Sequence, residues 1–249
     1  LVGDMVFNAP IFISAAGSKN TVNRILPKVY HTQKWVKAIA ELDDSPPYIC
    51  LNMGFKGDIR KGGASSANLW LYDTWDNNIY YWDVKDKTSK PPILYLSFPL
   101  LKDSEHRAGP KEKHTGECVT FISWDTVKQW KNSLEGARPE DYLTFKEELT
   151  NRILAVLKER IPTIMQYLDY CELSTPLSSA FYVKASKGAI YGLSANPKRF
   201  ACKDLRAQTP ITNFYMTGID ISSLGVVGGM VSGMLTAAAI DKKVYLRLI

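Results

Sequence analysis

Between Asn213 and Gly233 the chain reads NFYMTGIDISSLGVVGGMVSG, a single carboxylate, Asp220, set among five glycines and apolar side chains. An aspartate there can accept hydrogen bonds from ligand hydroxyls, or it can cap its own turn. The spacing predicts a strand over 213–217, a turn at Gly218 and a helix over about 225–241. Such an arrangement aims backbone amides and the positive end of the helix dipole at whatever lies in front of it. Glycine at positions 218 and 225 lets a ligand approach without a Cβ in the way. Each glycine inside the helix costs about 1 kcal/mol relative to alanine, so Gly225, Gly228, Gly229 and Gly233 need a reason. Close packing is the reading for Gly229 and Gly233; for Gly218 and Gly225, packing and ligand contact stand level.

Other chemistries find less support. GLSAN at 192–196 approaches the hydrolase elbow G-x-S-x-G, but Asn196 replaces the last glycine, and His31, His106 and His114 all precede it. Those histidines show no metal-ligand spacing, so no metal site is expected. Cys50, Cys118, Cys171 and Cys202 lie far apart with no C-x-x-C pair, which reads as buried thiols and favours a reducing compartment. No residue stands out as a general acid, base or nucleophile, so the catalytic residues are unassigned. The KASKG loop (Lys184–Gly188) reads as solvated.

The elements that would position Asp220 follow from hydropathy and turn signals. APIFISAA (9–16) has the texture of a buried parallel strand, followed by helices over 19–26 and 32–42. From 47 to 123 the runs PYICLNMGF, ANLWLYD, NIYYWDV, PILYLSFPL and ECVTFIS predict an antiparallel sheet. A helix starts after Asp125. A longer one runs from Glu140 to Ile161, with Tyr142, Phe145, Leu149, Ile153, Val156 and Leu157 at helical spacing. Strands are expected at 167–173 and 178–184. Trp70, Tyr72, Trp75, Tyr80, Tyr81, Trp82, Tyr95 and Phe98 read chiefly as sheet packing.

The 249 residues carry 31 Lys+Arg against 25 Asp+Glu, a scattered net charge of +6. With no dense basic block, no nucleic-acid partner is expected. The apolar run 224–240 is shorter than the roughly 20 residues of a membrane span. The start at Leu1-Val2-Gly3-Asp4 reads as the beginning of a piece of a longer protein, a soluble fragment.

Larger blocks resemble a known family. TPLSSAFYVKASKGAIYGLSANPKRF, then LRAQTPITNFYMTGIDISSLGVVGGMVSGMLTAAAI, are similar to the C-terminal end of FAD-dependent oxidoreductases of the retinol saturase, phytoene desaturase and carotenoid isomerase group. RAQTP (206–210), T-G-x-D (217–220) and G-x-V-G (225–228) are the specific elements, and FISAAGSKNTVNRILP, LYLSFPLLKD and KHTGECVTFISWD extend the likeness over most of the chain. The resemblance implies an α/β fold, α+β-like in character, that is part of a two-domain amine-oxidase/phytoene-desaturase-like architecture. Residues 1–26 and 186–249 would be pieces of a Rossmann-like FAD domain, and 27–185 a mainly antiparallel substrate domain with helices.

It further implies FAD as cofactor, with Gly218, Asp220, Gly225, Val226, Val227 and Gly228 on its binding surface. The substrate would be a hydrophobic polyene whose carbon–carbon double bonds are saturated, desaturated or isomerised. Some of the aromatics between 70 and 98 would line its path. An amine-oxidase-like enzyme and a non-catalytic binder of apolar ligands are the competing readings. The family's G-x-G-x-x-G unit is missing: KGGASS and GVVGG have the wrong spacing. The chain alone is therefore expected to hold FAD weakly or not at all. A missing N-terminal FAD-binding segment becomes its expected partner, and peripheral membrane contact by the full-length protein is left open.

Overall fold

A computed structural model describes residues 4–106 and 113–247 of the chain. It resolves into two compact units, one formed by residues 1–45 with 189–249 and the other by residues 46–188. Residues 27–45, assigned to the substrate region from sequence, cluster with the terminal segments.

In chain order the first unit opens with strand β1 (Phe12–Ser14), helix α1 (Ser18–Asn20), which continues as a π-helical turn (Thr21–Ile25), and α2 (Lys34–Ala40). The second unit supplies β2 (Tyr48–Lys56), β3 (Leu69–Tyr72), β4 (Ile93–Ser97), β5 (Lys113–Phe121), α3 (Glu140–Arg160), α4 (Pro162–Met165), β6 (Leu168–Ser174) and α5 (Pro176–Tyr182). The chain then returns to the first unit with α6 (Pro197–Ala201), β7 (Phe214–Met216), α7 (Gly225–Ile240) and α8 (Lys242–Arg247).

The sheet of the second unit has order β3-β4-β5-β2-β6, and its pairings among the described residues are all antiparallel, as the aromatic and β-branched runs predict. Alternation along β2 buries Ile49, Leu51, Met53 and Phe55 in one cluster with Leu149, Ile153 and Leu157 of α3. Glu140 and Asp141 open α3 and Lys158 and Arg160 close it, each sign suited to the helix dipole.

Two expected strands are not strands. NIYYWDV makes a single bridge, Tyr81 to Phe121, and is held instead by the buried Trp82 ring, whose Nε1 donates to Ser89 Oγ at 3.0 Å. Residues 178–184 fall largely within helix α5. Thr175 and Ser178 form a reciprocal capping box and Pro176 sits in the first turn, a start signal that overrides the strand-like AFYV. The helix expected after Asp125 is two 3-10 turns, Trp124–Thr126 and Lys128–Trp130.

In the first unit β1 pairs in parallel with β7, Phe12 opposite Phe214 and Ser14 opposite Met216. Val22, Leu26, Trp35, Val36, Ile39 and Met216 form its core. Contrary to the expectation of a buried strand, Phe12 is 46% and Ile13 52% exposed.

Two glycines of the second unit separate packing from tolerance. A Cβ on Gly62 would lie 2.4 Å from the Thr163 carbonyl oxygen, whereas on Gly54 it would meet Tyr170 at an ordinary 3.5 Å. Gly62→Ala is expected to lower unfolding free energy by about 1–3 kcal/mol in urea titration, and Gly54→Ala to change it by less than about 1 kcal/mol.

Candidate functional site

Asp220 is buried, 4% exposed, and its carboxylate joins three stretches of the first unit. Oδ2 accepts the backbone N–H of Ser18 at 2.7 Å, and Oδ1 accepts that of Leu193 at 2.9 Å. Ser18 is the first residue of α1, so a negative charge sits at a helix N-terminus, where it is favoured. Asp220 does cap a helix, but one that begins 202 residues earlier.

Glycines flank this contact, and one of them, Gly192, makes room for it. Gly17 has φ +84° and a Cβ there would lie 3.6 Å from Oδ2; Gly192 has φ +69° and a Cβ there would lie 2.5 Å from Oδ1. The Leu193 stretch is fixed from its other side as well. Ser45 N–H donates to Gly192 O at 2.8 Å, Ser194 N–H to Asp43 O at 2.8 Å, and Tyr191 N–H to Ser45 Oγ at 2.9 Å.

Arg199 is the residue that sequence reasoning missed. It is 2% exposed; Nη1 donates to Leu193 O at 2.9 Å and Nη2 to Ile219 O. One guanidinium therefore braces the carbonyl of the residue that donates to Asp220 and the carbonyl of the residue just before Asp220. Burial pushes its pKa down, and the charge of Asp220 opposes that shift. The signal was present in Asn196-Pro197, where Asn196 Oδ1 accepts from Arg199 N–H and starts α6, but a lone arginine on a five-residue helix carries no pattern of its own.

The other expected site residues surround the start of α7. Gly218 (φ +102°) and Gly225 (φ +82°) adopt backbone conformations that favour glycine, with open space where a Cβ would stand. Val226 and Val227 are 82% and 72% exposed, with no side-chain cap at the helix start. Gly228 is the packing glycine: a Cβ there would fall 1.8 Å from Ser223 O. Packing was expected of Gly229 and Gly233, but Gly233 faces open space and Gly229 meets only Ile219 at 3.8 Å. The turn is closed by Ser232, whose Oγ accepts Gly218 N–H at 2.9 Å, and by Thr236, which donates to Met216 O at 3.1 Å. The arrangement leaves glycine-lined backbone at the start of α7 uncovered, and Asp220 is buried with both oxygens engaged.

In the second unit the aromatics divide. Trp82 and Phe98 are buried, while Trp70, Tyr72 and Trp75 line an open cleft of about 550 Å³ with Arg160 at its edge. Among the described residues no group of three or more His, Cys, Asp or Glu could hold a metal, and no helix is long and apolar enough to cross a membrane. Burial pushes the Cys50 thiol up to about 12 and raises Cys118 further, so neither forms a thiolate near neutrality.

No family model matches the chain. Among curated proteins, all-trans-retinol 13,14-reductase from Danio rerio is 30% identical over 243 residues, covering 93% of this chain and 40% of that protein. The Homo sapiens protein of the same name is 28% identical over 247 residues, covering 94% and 40%. A Danio rerio protein named as an inactive all-trans-retinol 13,14-reductase is 24% identical over 99% of this chain. The chain thus spans about two fifths of the length of these relatives, and the resemblance to the retinol saturase group is borne out. Among solved structures, cyclohexylamine oxidase from Brevibacterium oxydans superposes with a TM-score of 0.56 at 16% identity, covering 98% of this chain and 45% of that one. An oxidoreductase from Methanosarcina mazei gives 0.50 at 13% identity. The expected amine-oxidase-like fold is borne out as well.

Asp220→Asn keeps the shape but leaves one acceptor oxygen for two backbone donors and turns an NH₂ toward an N–H. A loss of about 1–3 kcal/mol in unfolding free energy is expected by denaturant titration. Iodoacetamide at pH 8 is expected to leave Cys50 and Cys118 unmodified in the folded protein, since a thiol with pKa raised by burial stays protonated below it; peptide mass mapping reads the outcome.

Proposed function

We propose that this chain, a relative of the all-trans-retinol 13,14-reductases over nearly its whole length, forms part of a flavin-dependent oxidoreductase. Its substrate is a hydrophobic polyene, a retinoid or carotenoid, altered at a carbon–carbon double bond. The observation that carries this reading is the 30% identity across 93% of the chain. The open glycine-lined turn before α7 supports it.

FAD, when bound, supplies hydride exchange with a substrate carbon. Gly218 and Gly225 give the cofactor close approach to backbone. The amides of Val226, Val227 and Gly228, at the positive end of α7, favour negative charge on its carbonyl edge. Asp220 holds the floor of this surface by fixing α1 and Leu193, with Arg199 behind it. Chemistry at the substrate carbon rests on position and electrostatics. The G-x-G-x-x-G unit for the pyrophosphate comes, in this reading, from the part of the longer protein that this chain does not include. Peripheral membrane contact, which a bilayer-soluble substrate would call for, belongs to that longer protein too.

Two specific observations favour other readings. The likeness to cyclohexylamine oxidase supports an amine substrate, and the relative named inactive supports a non-catalytic binder of apolar ligands.

Titration of residues 1–249 with FAD, followed by flavin fluorescence quenching, is expected to show no sub-micromolar binding; tight binding would mean that the cofactor needs no further segment. In the longer polypeptide loaded with FAD, a panel of retinoids, carotenoids and amines separates the readings. Polyene turnover is expected. Flavin reduction by amines alone would favour the amine-oxidase reading, and flavin bound without turnover the non-catalytic one. Asp220→Ala there is expected to weaken FAD retention by about 1–3 kcal/mol, read from the released flavin.

A further inference from the structure

The second unit carries aromatic rings that its core does not use. Trp70, Tyr72 and Trp75 line the open cleft of about 550 Å³, and Trp75 stands wholly in solvent. A large aromatic side chain buries roughly 150–250 Å² when it packs, so three of them left out at one place call for an occupant. The rings are held in position. Trp70 and Tyr72 alternate on one face of β3, with centroids 6.4 Å apart and ring planes 21° from parallel, and Tyr95 of β4 braces the indole at 4.8 Å. Trp75 rides a turn in which Thr74 Oγ1 accepts the N–H of Asp76 at 3.1 Å and Asp76 Oδ1 that of Asn78 at 3.0 Å. Two opposite charges share the lining, Asp73 and Arg160. Asp73 is fixed through its N–H, which donates to Pro92 O at 3.0 Å, and Arg160 is the last residue of α3. The neighbouring Lys90 is paired with Glu159 at 2.9 Å and lies within electrostatic reach of both.

We propose that this cleft is a binding site for a quaternary ammonium zwitterion of the phosphocholine type. A trimethylammonium group has no hydrogen bond to donate. It is recognised by the negative faces of aromatic rings, helped by a carboxylate close by. Trp70, Tyr72 and Trp75 supply the faces and Asp73 the carboxylate. Arg160 supplies the planar, paired donors that a phosphate accepts. The lining thus matches a ligand that carries both signs, a bulky cation beside a compact anion. The site does not rest on the flavin reading and takes no part in the polyene reaction.

Other ligands meet less of this lining. A polyene would press hydrocarbon on Asp73 and Arg160 and leave both charges without a partner. A nucleotide or other polyphosphate would bring several negative charges to one arginine and one repelling carboxylate. A neutral sugar stacks on the rings but has no charge to answer either side chain.

Isothermal titration calorimetry tests this in the polypeptide encoded by the whole gene. Phosphocholine is expected to bind saturably, with a Kd of about 0.1–1 mM. Trp75→Ala is expected to weaken that binding about fivefold to tenfold. Arg160→Gln is expected to weaken phosphocholine about tenfold and choline hardly at all, a split that ties the guanidinium to the phosphate. Both side chains are exposed, so both variants are expected to unfold at the temperature of the unaltered protein. No saturable heat up to about 10 mM phosphocholine would overturn the proposal, and so would binding that neither variant weakens. Displacement of phosphocholine by all-trans-retinol would overturn it in favour of a polyene path, and equal binding of glucose in favour of a sugar site. Flotation with phosphatidylcholine vesicles separates two sources of the same group. Flotation that free phosphocholine competes away would sustain the site and assign it to a lipid headgroup. Calorimetric binding without flotation would sustain it for a soluble phosphocholine compound.

Discussion

The first unit depends on one buried carboxylate. Asp220 accepts two backbone amides, from Ser18 and Leu193, and so fastens the loop leading to α7 to the start of α1 and to the stretch paired with residues 43–45. A buried charge is tolerated when hydrogen bonds replace the water it has lost, and here backbone donors, a helix N-terminus and the nearby arginine do so together. Gly192 has no side chain because Asp220 Oδ1 needs its space, and Gly17 supplies the positive φ beside Oδ2. The turn at Gly218, the start of α7 and the exposed amides beyond it inherit their position from that contact.

This changes how an isolated acid in a glycine-rich segment should be understood. Its types and spacing suit a ligand contact, and the same types and spacing suit a structural tie. The difference lies in partners far away in sequence, which local pattern cannot display. Glycine at 192 is a trace such a tie leaves in the chain, and it draws no notice until Asp220 is placed against it.

Much of the fold was nonetheless legible. The antiparallel sheet followed from aromatic and β-branched runs separated by turn residues, and α3 from apolar residues at helical spacing between charges of the right sign. Thr-Pro-Leu-Ser at the start of α5 is a capping box that the strand-like residues after it outweigh in the sequence. NIYYWDV failed as a strand because one large ring, Trp82, decides its path. For α7, boundaries were readable and orientation was not: a segment apolar on nearly every side gives no moment to say which face is buried, and hydroxyls at Ser232 and Thr236 turn inward to serve the backbone of Met216 and Gly218. That inversion also explains why the packing glycine is Gly228 and not Gly229 or Gly233.

The 202-residue separation between Ser18 and Asp220 also sets a schedule. The second unit, residues 46–188, is an insertion within the first. On a ribosome adding about 5–20 residues per second, β1 and α1 emerge roughly 10–40 s before β7 and Asp220 exist. Through that interval Phe12 and Ile13 lack their partners in β7 and the start of α1 lacks the Asp220 carboxylate. The insertion carries its own sheet and core and can finish first. β1 and α1 thus wait for the chain to return before this contact can form, and the group that completes it is a single carboxylate.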